Sequence, residues 1–295
     1  FGFDTAVING AVDALRAGFA LGASATGLAV SCALLGSAAG AWQAGYLADR
    51  FGRVRTMLVA AVLLVASAVG TALAASLTEL VVWRLLGGAG VGVASVIAPT
   101  YIAEVAPAAI RGRLGSMQQL AIVLGIFAAL LSDAWLAGAA GGAAASWWLD
   151  LAAWRWMFLV AAVPALVYAA LVLALPESPR HLVARGRDAE ARRVLRLILA
   201  GTDEAALTAK LDAIRTSLAG ARRPRLGDLR GGRLGLLPIV WVGILLSVFQ
   251  QFVGINVIFY YSATLWHSVG FSEGDAFAIT VATSIVNVLV TLVAM

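Results

Sequence analysis

The sequence predicts an all-α membrane protein, and three observations predict it. Of its 295 residues, 61% are hydrophobic and 13% charged, against about 45–50% and 25% in soluble domains. The apolar residues gather into eight runs, most of them close to the roughly 20 residues that a helix needs to cross a bilayer. The basic residues gather in alternate connections between those runs, as they do in multi-span proteins.

The runs occupy residues 1–15, 21–47, 57–75, 80–103, 114–137, 151–175, 234–264 and 275–295. The first opens at Phe1 and the last closes at Met295, both inside apolar sequence, so the chain reads as a segment of a longer protein with its first span incomplete. Asp4, with no basic residue before it, argues against a secretory signal peptide. The connection after the second run carries Arg50, Arg53 and Arg55, that after the fourth carries Arg111 and Arg113, and residues 180–233 carry thirteen basic side chains. These connections are expected in the cytoplasm, together with the termini of the full protein. The opposite connections hold Arg16 and Arg155 with the acids Asp13, Glu79, Asp133, Asp150, Glu273 and Asp275, and residues 138–146 read as an outer loop.

Three parts follow: spans 1–6 in residues 1–175, a cytoplasmic helical linker in 176–233, and two further spans in 234–295. In the linker, Val194, Leu195, Ile198 and Leu199 recur at helical spacing. Gly201, Gly220 and Gly227 read as its turns.

Several function classes fall away. The net charge of +5 rests on side chains in short loops rather than on one solvated face, so nucleic acid is not the expected partner. The single cysteine, Cys32, cannot build a disulfide or a cysteine metal site. His181 and His267 stand at the edges of different runs with no carboxylate or cysteine beside them, so no metal is expected. The glycine-rich stretch from Gly87 to Gly92 lies inside an apolar run, where small residues let helices approach, and not between a strand and a helix as dinucleotide binding requires. No catalytic cluster and no cofactor motif is present, and an enzyme is not expected.

Polar groups inside the apolar runs carry the remaining information. A charge there costs roughly 2.5–3.5 kcal/mol, yet Asp4 lies in the first run and Arg84 in the fourth. They read either as a structural ion pair or as a carboxylate whose proton binding is linked to a conformational change. The seventh run holds Gln250, Gln251 and Asn256. Amides both donate and accept, which suits a ligand made of hydroxyl groups. Gln250 and Gln251 point about 100° apart on a helix, so one face holds the whole set only if Gly254 breaks the helix, a device of midplane binding sites. Gln118 and Gln119 in the fifth run and Asn287 in the eighth add polar groups at compatible depth.

Six segments in order give this pattern a family likeness: Phe1 to Gly10; Asp49-Arg50-Phe51-Gly52-Arg53; Pro99 to Glu104 with Pro107 and Arg111-Gly112; Trp154-Arg155; Pro176-Glu177-Ser178-Pro179-Arg180; and Gln250-Gln251 with Gly254, Asn256, Tyr260 and Tyr261. End to end, the chain resembles the sugar porter family of the major facilitator superfamily. The resemblance implies a major facilitator fold: a complete or nearly complete N-terminal six-helix bundle, a cytoplasmic helical linker and the first two helices of a C-terminal bundle. It also implies that Phe1, Gln119, Ile122, Ile126, Gln250, Gln251, Asn256 and Asn287 line a sugar cavity and that Asp4 and Arg84 couple a proton. Asp49, Arg53, Glu104, Arg111, Glu177 and Arg180 then form a cytoplasmic gating network. Some proton-coupled members carry an acid three residues before the proline of span 6, where this chain has Ala161 before Pro164.

The implied activity is secondary active import of a monosaccharide or polyol with protons, by a monomer in a bacterial plasma membrane. A facilitative uniporter and a non-transporting sugar sensor are the alternatives. The family has twelve spans, so these 295 residues alone are expected not to transport.

Overall fold

The computed structural model describes residues 1–107, 109–199, 203–219, 226–231 and 235–295. Gly201 and Gly220, expected as turns, lie outside the described residues, whereas Gly227 sits in the short 3-10 turn Leu226–Leu229. Among the described residues, seven helices are long and apolar enough to cross a membrane, counting one broken helix as a single span. The chain is a multi-pass membrane protein.

The first apolar run is helical in two pieces, α1 (Gly2–Ala6) and α2 (Ile8–Gly18), which meet at Val7. There follow α3 (Ala23–Phe51), α4 (Arg53–Leu73), α5 (Leu77–Val105), α6 (Arg111–Ala140) and α7 (Ala153–Leu173). The linker contributes α8 (Pro179–Ala184), α9 (Asp188–Ile198) and α10 (Glu204–Ala219). The seventh apolar run forms α11 (Pro238–Phe252) and α12 (Ile255–Ser268), and the eighth forms α13 (Glu273–Ala294).

The helices overrun the apolar runs by several residues because caps, not hydropathy, end them. Ser76 accepts from the Glu79 amide at the start of α5, and Ser272 does the same for Asp275 at the start of α13. Gly52, at φ 97°, stops α3 and starts α4 in a conformation that L-residues avoid. Arg155 caps α4 from a distance, donating to the carbonyls of Ala72 (2.6 Å) and Ala74 (2.9 Å) while its guanidinium lies 4.4 Å from the Trp154 ring centroid.

Helices α3 and α5 approach closely through reciprocal glycines. A Cβ on Gly36 or Gly40 would stand 2.1 Å from the carbonyl oxygen of Leu85 or Ala89, and one on Gly88 or Gly92 would stand 2.0 Å from that of Ala33 or Ser37. The glycine-rich stretch therefore serves packing, as its composition implied.

Among the described residues, two larger membrane cores form, with a small third cluster of Leu64, Val91 and Ala165. Near the basic connections, Ala44, Met57, Ala60, Val93, Ile97 and Val172 join α3, α4, α5 and α7. At the opposite end, Val7, Ile8, Leu15, Leu136, Met157, Phe158, Ala263 and Phe277 join α1, α2, α6 and α7 to α12 and α13. The linker builds its own small core from Leu182, Ala191, Leu195, Leu207 and Leu211, with Val194 and Leu199 against it. By contrast, α11 buries none of its residues.

One assignment needs correction. Asp133 was grouped with the acids of the outer connections, but it lies within α6 and is 0% exposed, because the helix continues to Ala140.

The glycine seam sets a stability test in the full-length protein. Gly92→Ala should cost about 2 kcal/mol by pushing two backbones apart. Gly45→Ala, whose new Cβ meets nothing within 4 Å, should gain up to about 1 kcal/mol from helix propensity. Thermal unfolding in detergent reads both, and equal midpoints would refute the seam.

Candidate functional site

The seventh run breaks where the amide spacing requires it to. Gly254 adopts φ 78° between α11 and α12, and the break lets Asn256 turn back so that its Nδ2 donates to Gln251 Oε1 at 2.7 Å. Gln250, Gln251 and Asn256 then face one cavity of about 380 Å³, within the size range of small-molecule sites. Its opposite wall is Phe1, Ile122 and Ile126, with Asp4, Thr5, Ser37 and Arg84 around it. The arrangement offers fixed donors and acceptors on one side and apolar surface on the other.

Six of the eight expected substrate residues are brought together here. Gln119 and Asn287 are not among the lining residues. Gln119 is exposed on α6, and Asn287 is half-buried on α13 with its backbone carbonyl accepting from Thr291 at 2.8 Å. Its neighbour Gln118 faces a second cavity of about 220 Å³ inside the first half, with Ala161, Pro164 and Tyr168. Phe259, Tyr260 and Ser37 line the main cavity without having been singled out as site residues. Tyr260 was visible within the seventh-run motif, whereas Ser37 carries no sequence signal that separates it from a packing serine.

Asp4 borders both cavities, and Arg84 borders the first. No direct Asp4–Arg84 bridge is among the ion pairs of the described residues. Arg84 is 5% exposed, its Nε has no hydrogen-bond partner, and its guanidinium lies 5.7 Å from the Phe158 ring centroid. The two charges thus share a cavity wall rather than a contact.

At the basic end, Arg53 organises the charge cluster. It meets Glu104 through Nε (3.0 Å) and Nη2 (2.8 Å), and both side chains are 11% exposed. Glu177 accepts from the backbone amides of Arg53 (2.9 Å), Val54 (3.3 Å) and Ser178 (2.8 Å), so it caps the start of α4. Gly52 makes this possible, since a Cβ there would stand 2.3 Å from Glu177 Oε2. The Ser178 hydroxyl donates to Glu104, and that of Tyr101 to the Pro176 carbonyl at 2.7 Å. Asp49 reaches Arg53 at 3.4 Å but its side chain is 79% exposed.

Two expected members stand outside this network. Arg111 donates to the Ala106 carbonyl at 3.2 Å, in its own turn, and Arg180 is exposed with no ion pair among the described residues. Two unexpected ones stand inside it. His181 Nδ1 lies 3.3 Å from Arg53 Nη1, so the histidine that lacked a sequence neighbour has charged spatial ones. Arg185 donates to the last carbonyls of α3, those of Asp49 and Arg50, and ties the linker to that helix end. Burial holds the His181 imidazole below its ordinary value of 6.5; Glu177 and Glu104 oppose the shift, and Arg53 and Arg185 add to it.

Known proteins resemble this chain along its whole length. A family model described as "Sugar (and other) transporter" matches residues 1–295. A glucose transport protein of Synechocystis is 54% identical over 295 residues, covering all of this chain and 62% of the relative. A D-xylose-proton symporter of Escherichia coli is 37% identical over 322 residues, covering all of this chain and 63% of that protein. The xylose transporter XylE from E. coli, in a partially occluded inward-open conformation, superposes with a TM-score of 0.85 at 34% identity, over all of this chain and 68% of that structure. XylE as a proton:xylose symporter bound to 6-bromo-6-deoxy-D-glucose gives a TM-score of 0.82 at 37% identity, over all of this chain and 65% of that structure. The fold is the major facilitator fold. The chain spans about 62% of the length of the first of these relatives.

The charge cluster yields two expectations. Arg53→Ala strands the Glu104 carboxylate and should cost about 3 kcal/mol, while Arg111→Ala and Arg180→Ala should each cost less than about 0.5 kcal/mol; thermal unfolding of the full-length protein separates them. The lowered His181 value means the unfolded chain takes up a proton first as pH falls below 6.5. Stability should therefore decline on that acid side and be unaffected above it, and His181→Gln should remove this component of the decline. A pH series of unfolding midpoints with the same acid slope in both proteins would refute it.

Proposed function

This chain belongs to the sugar transporter family, and from that premise we propose that the complete protein imports a monosaccharide or polyol together with protons by alternating access. The observation that carries the reading is the cavity in which Gln250, Gln251 and Asn256 converge at a helix break, opposite Phe1, Ile122 and Ile126. Amides hydrogen-bond ring hydroxyls, and the apolar wall covers the carbon-bound hydrogens of the ring. The Asn256–Gln251 bond fixes the amide orientations before a ligand arrives. Gln119, on a helix that borders the cavity, and Asn287, on α13 beside α12, remain candidates for the same site.

Residues 1–175 act as one half of the machine, 176–233 as a linker on the cytoplasmic side, and 234–295 as the start of the second half. The basic connections support a cytoplasmic position for the Arg53 cluster, at the inner membrane of a bacterium. There Asp49, Arg53, Glu104 and Glu177, with Arg111 and Arg180 as outer members in another state, hold the cytoplasmic side of one conformation. The working unit is a monomer in the bilayer. Asp4 is the proton site, and Arg84 on the same cavity wall senses its charge. Protonation removes the attraction between them and biases the switch between outward and inward states.

Facilitative uniport is the runner-up, favoured by Ala161 on the second cavity beside Asp4, where an acid would have supplied a proton partner.

Reconstitution of the full-length protein in liposomes with labelled glucose, galactose, xylose and inositol tests the reading. Accumulation should exceed equilibrium under an inward proton gradient and collapse with a protonophore. Asn256→Ala should weaken sugar binding about tenfold, equivalent to about 1.4 kcal/mol, and Asp4→Asn should abolish accumulation while sparing binding. Equilibration indifferent to the gradient would replace symport by uniport, and binding without flux would replace transport by sensing.

A further inference from the structure

At the end of the bundle opposite the basic connections, the two halves meet along two seams. On the first, Asn9 of α2 donates to the Phe259 carbonyl (2.8 Å) and the Ser262 hydroxyl (2.9 Å) and accepts from the Ala263 amide (3.3 Å). On the second, α6 lies along α13, and Ala129, Leu130, Leu136 and Ala137 share one buried cluster with Phe277. Asp133 sits in the middle of that stretch of α6. It is 0% exposed, and neither carboxyl oxygen has a hydrogen-bond partner. The carboxyl lies against the bare backbone of α2, since a Cβ on Gly10 would stand 2.8 Å from Asp133 Cβ and 2.9 Å from its Oδ2.

The transport reading leaves this acid without a task, and the charges on the surrounding helices are engaged elsewhere. On α1, Asp4 faces the two cavities. On α2, Asp13 accepts from Thr264 and Arg16 is exposed. On α5, Glu79 caps its helix start, Arg84 lies over Phe158, and Glu104 belongs to the cluster at the far end. On α7, Arg155 holds the end of α4, and the Tyr168 hydroxyl borders the second cavity. On α13, Glu273 accepts from the Ala143 amide and Asp275 from the Ser272 hydroxyl. On α12, Tyr260 borders the main cavity and Tyr261 packs against the same core, while His267 shares a surface pocket with Asp13 and Glu273. Arg111 and Arg113 of α6 itself lie at its other end.

An anion at Asp133 would have no cation and no solvent while the seam is shut, and the one backbone amide beside it, that of Gly10, completes no hydrogen bond to either oxygen. The neutral acid is the form that the shut seam accommodates. We propose that Asp133 is a second proton-binding site, distinct from Asp4, and that the outer seam closes over it only when one of its oxygens carries a proton. Closing takes up one proton from the external water, and reopening returns it to the same side. The site therefore gates the outer opening by external pH and moves no net charge. The proposal rests on the alternating-access reading in one respect: the α6–α13 seam must open.

Spin labels on Ala139→Cys of α6 and Ser268→Cys of α12, both exposed at this end, report the seam in the full-length protein with Cys32→Ala. Pulsed dipolar distances are measured without sugar from pH 5 to 9. The longer separation should gain population as pH rises, by up to about tenfold per pH unit, as for release of a single proton. With Asp4→Asn in place to silence the first proton site, Asp133→Asn should hold the short separation at every pH, with Asp133→Ser as a second neutral replacement should the amide fail to fold. Asp4→Asn should keep the titration. A distance distribution independent of pH in the native protein, or neutral Asp133 variants that titrate as native, would overturn the proposal. So would loss of the titration in Asp4→Asn alone. Failure of sugar uptake with an intact titration would refute the substrate reading and support the seam.

Discussion

In hydrocarbon, a backbone N–H or C=O without a partner costs several kcal/mol, and that constraint decides where this structure is regular and where it is not. The long spans satisfy their backbones internally and approach one another through glycines instead of polar contacts, most closely where α3 crosses α5. Irregular backbone inside the membrane is confined to places that line a cavity or a seam. The break at Val253 and Gly254 stands between Gln251 and Asn256, which line the amide cavity, and the junction at Val7 lies beside the Asn9 contacts to α12. Helix ends elsewhere are completed by side chains, by Arg155 for α4 and Arg185 for α3.

The same constraint explains why the charges come in two kinds. Those near the basic end are gathered around Arg53, where Glu104 takes the guanidinium in two bonds and Glu177 takes backbone amides. Each partner there is satisfied by several groups, so the cluster behaves as one rigid joint between α4, α5 and the linker. Asp4, Arg84 and Asp133 are different: none is fully paired, Asp4 and Arg84 border the main cavity, and Asp133 is buried against α2. Buried charge that is fully paired fixes a structure, whereas buried charge left unpaired makes a structure respond to its surroundings.

Much of the architecture was legible in the sequence because its signals are local. Apolar run length located the spans, arginine placement separated the two ends, and the spacing of Gln251, Gly254 and Asn256 left a break at Gly254 as the condition for one shared face, which the structure meets. What was not legible depends on which side of a helix meets which neighbour. Gln118 and Gln119 are adjacent in sequence, yet Gln118 faces the second cavity and Gln119 is exposed. Arg111 and Arg180 sit in motifs with the network residues, but one folds back on its own turn and the other points away. His181 had no carboxylate beside it in the chain and acquires Arg53 and Glu177 only when the linker folds under α4. Asp133, inside the run 114–137 yet counted with the acids of the outer connection, is carried by α6 into the core.

The two ends of the bundle solve one problem by different chemistry. The Arg53 cluster uses strong, charge-assisted bonds and lies wholly within the first half and the linker helix beside it. A contact that must form and break repeatedly cannot leave bare ions behind when it closes. Between the halves the polar contacts are accordingly mostly neutral: Asn9 with Phe259, Ser262 and the Ala263 amide. The carboxylates that do cross the divide, Asp13 to Thr264 and Glu273 to Ala143, belong to exposed side chains at its solvent edge. Asp133 is the exception inside the seam, and it fits the same rule only as a neutral acid. The charge that would forbid closure is then carried by a group that one proton removes, so the seam can shut without a permanent counter-ion.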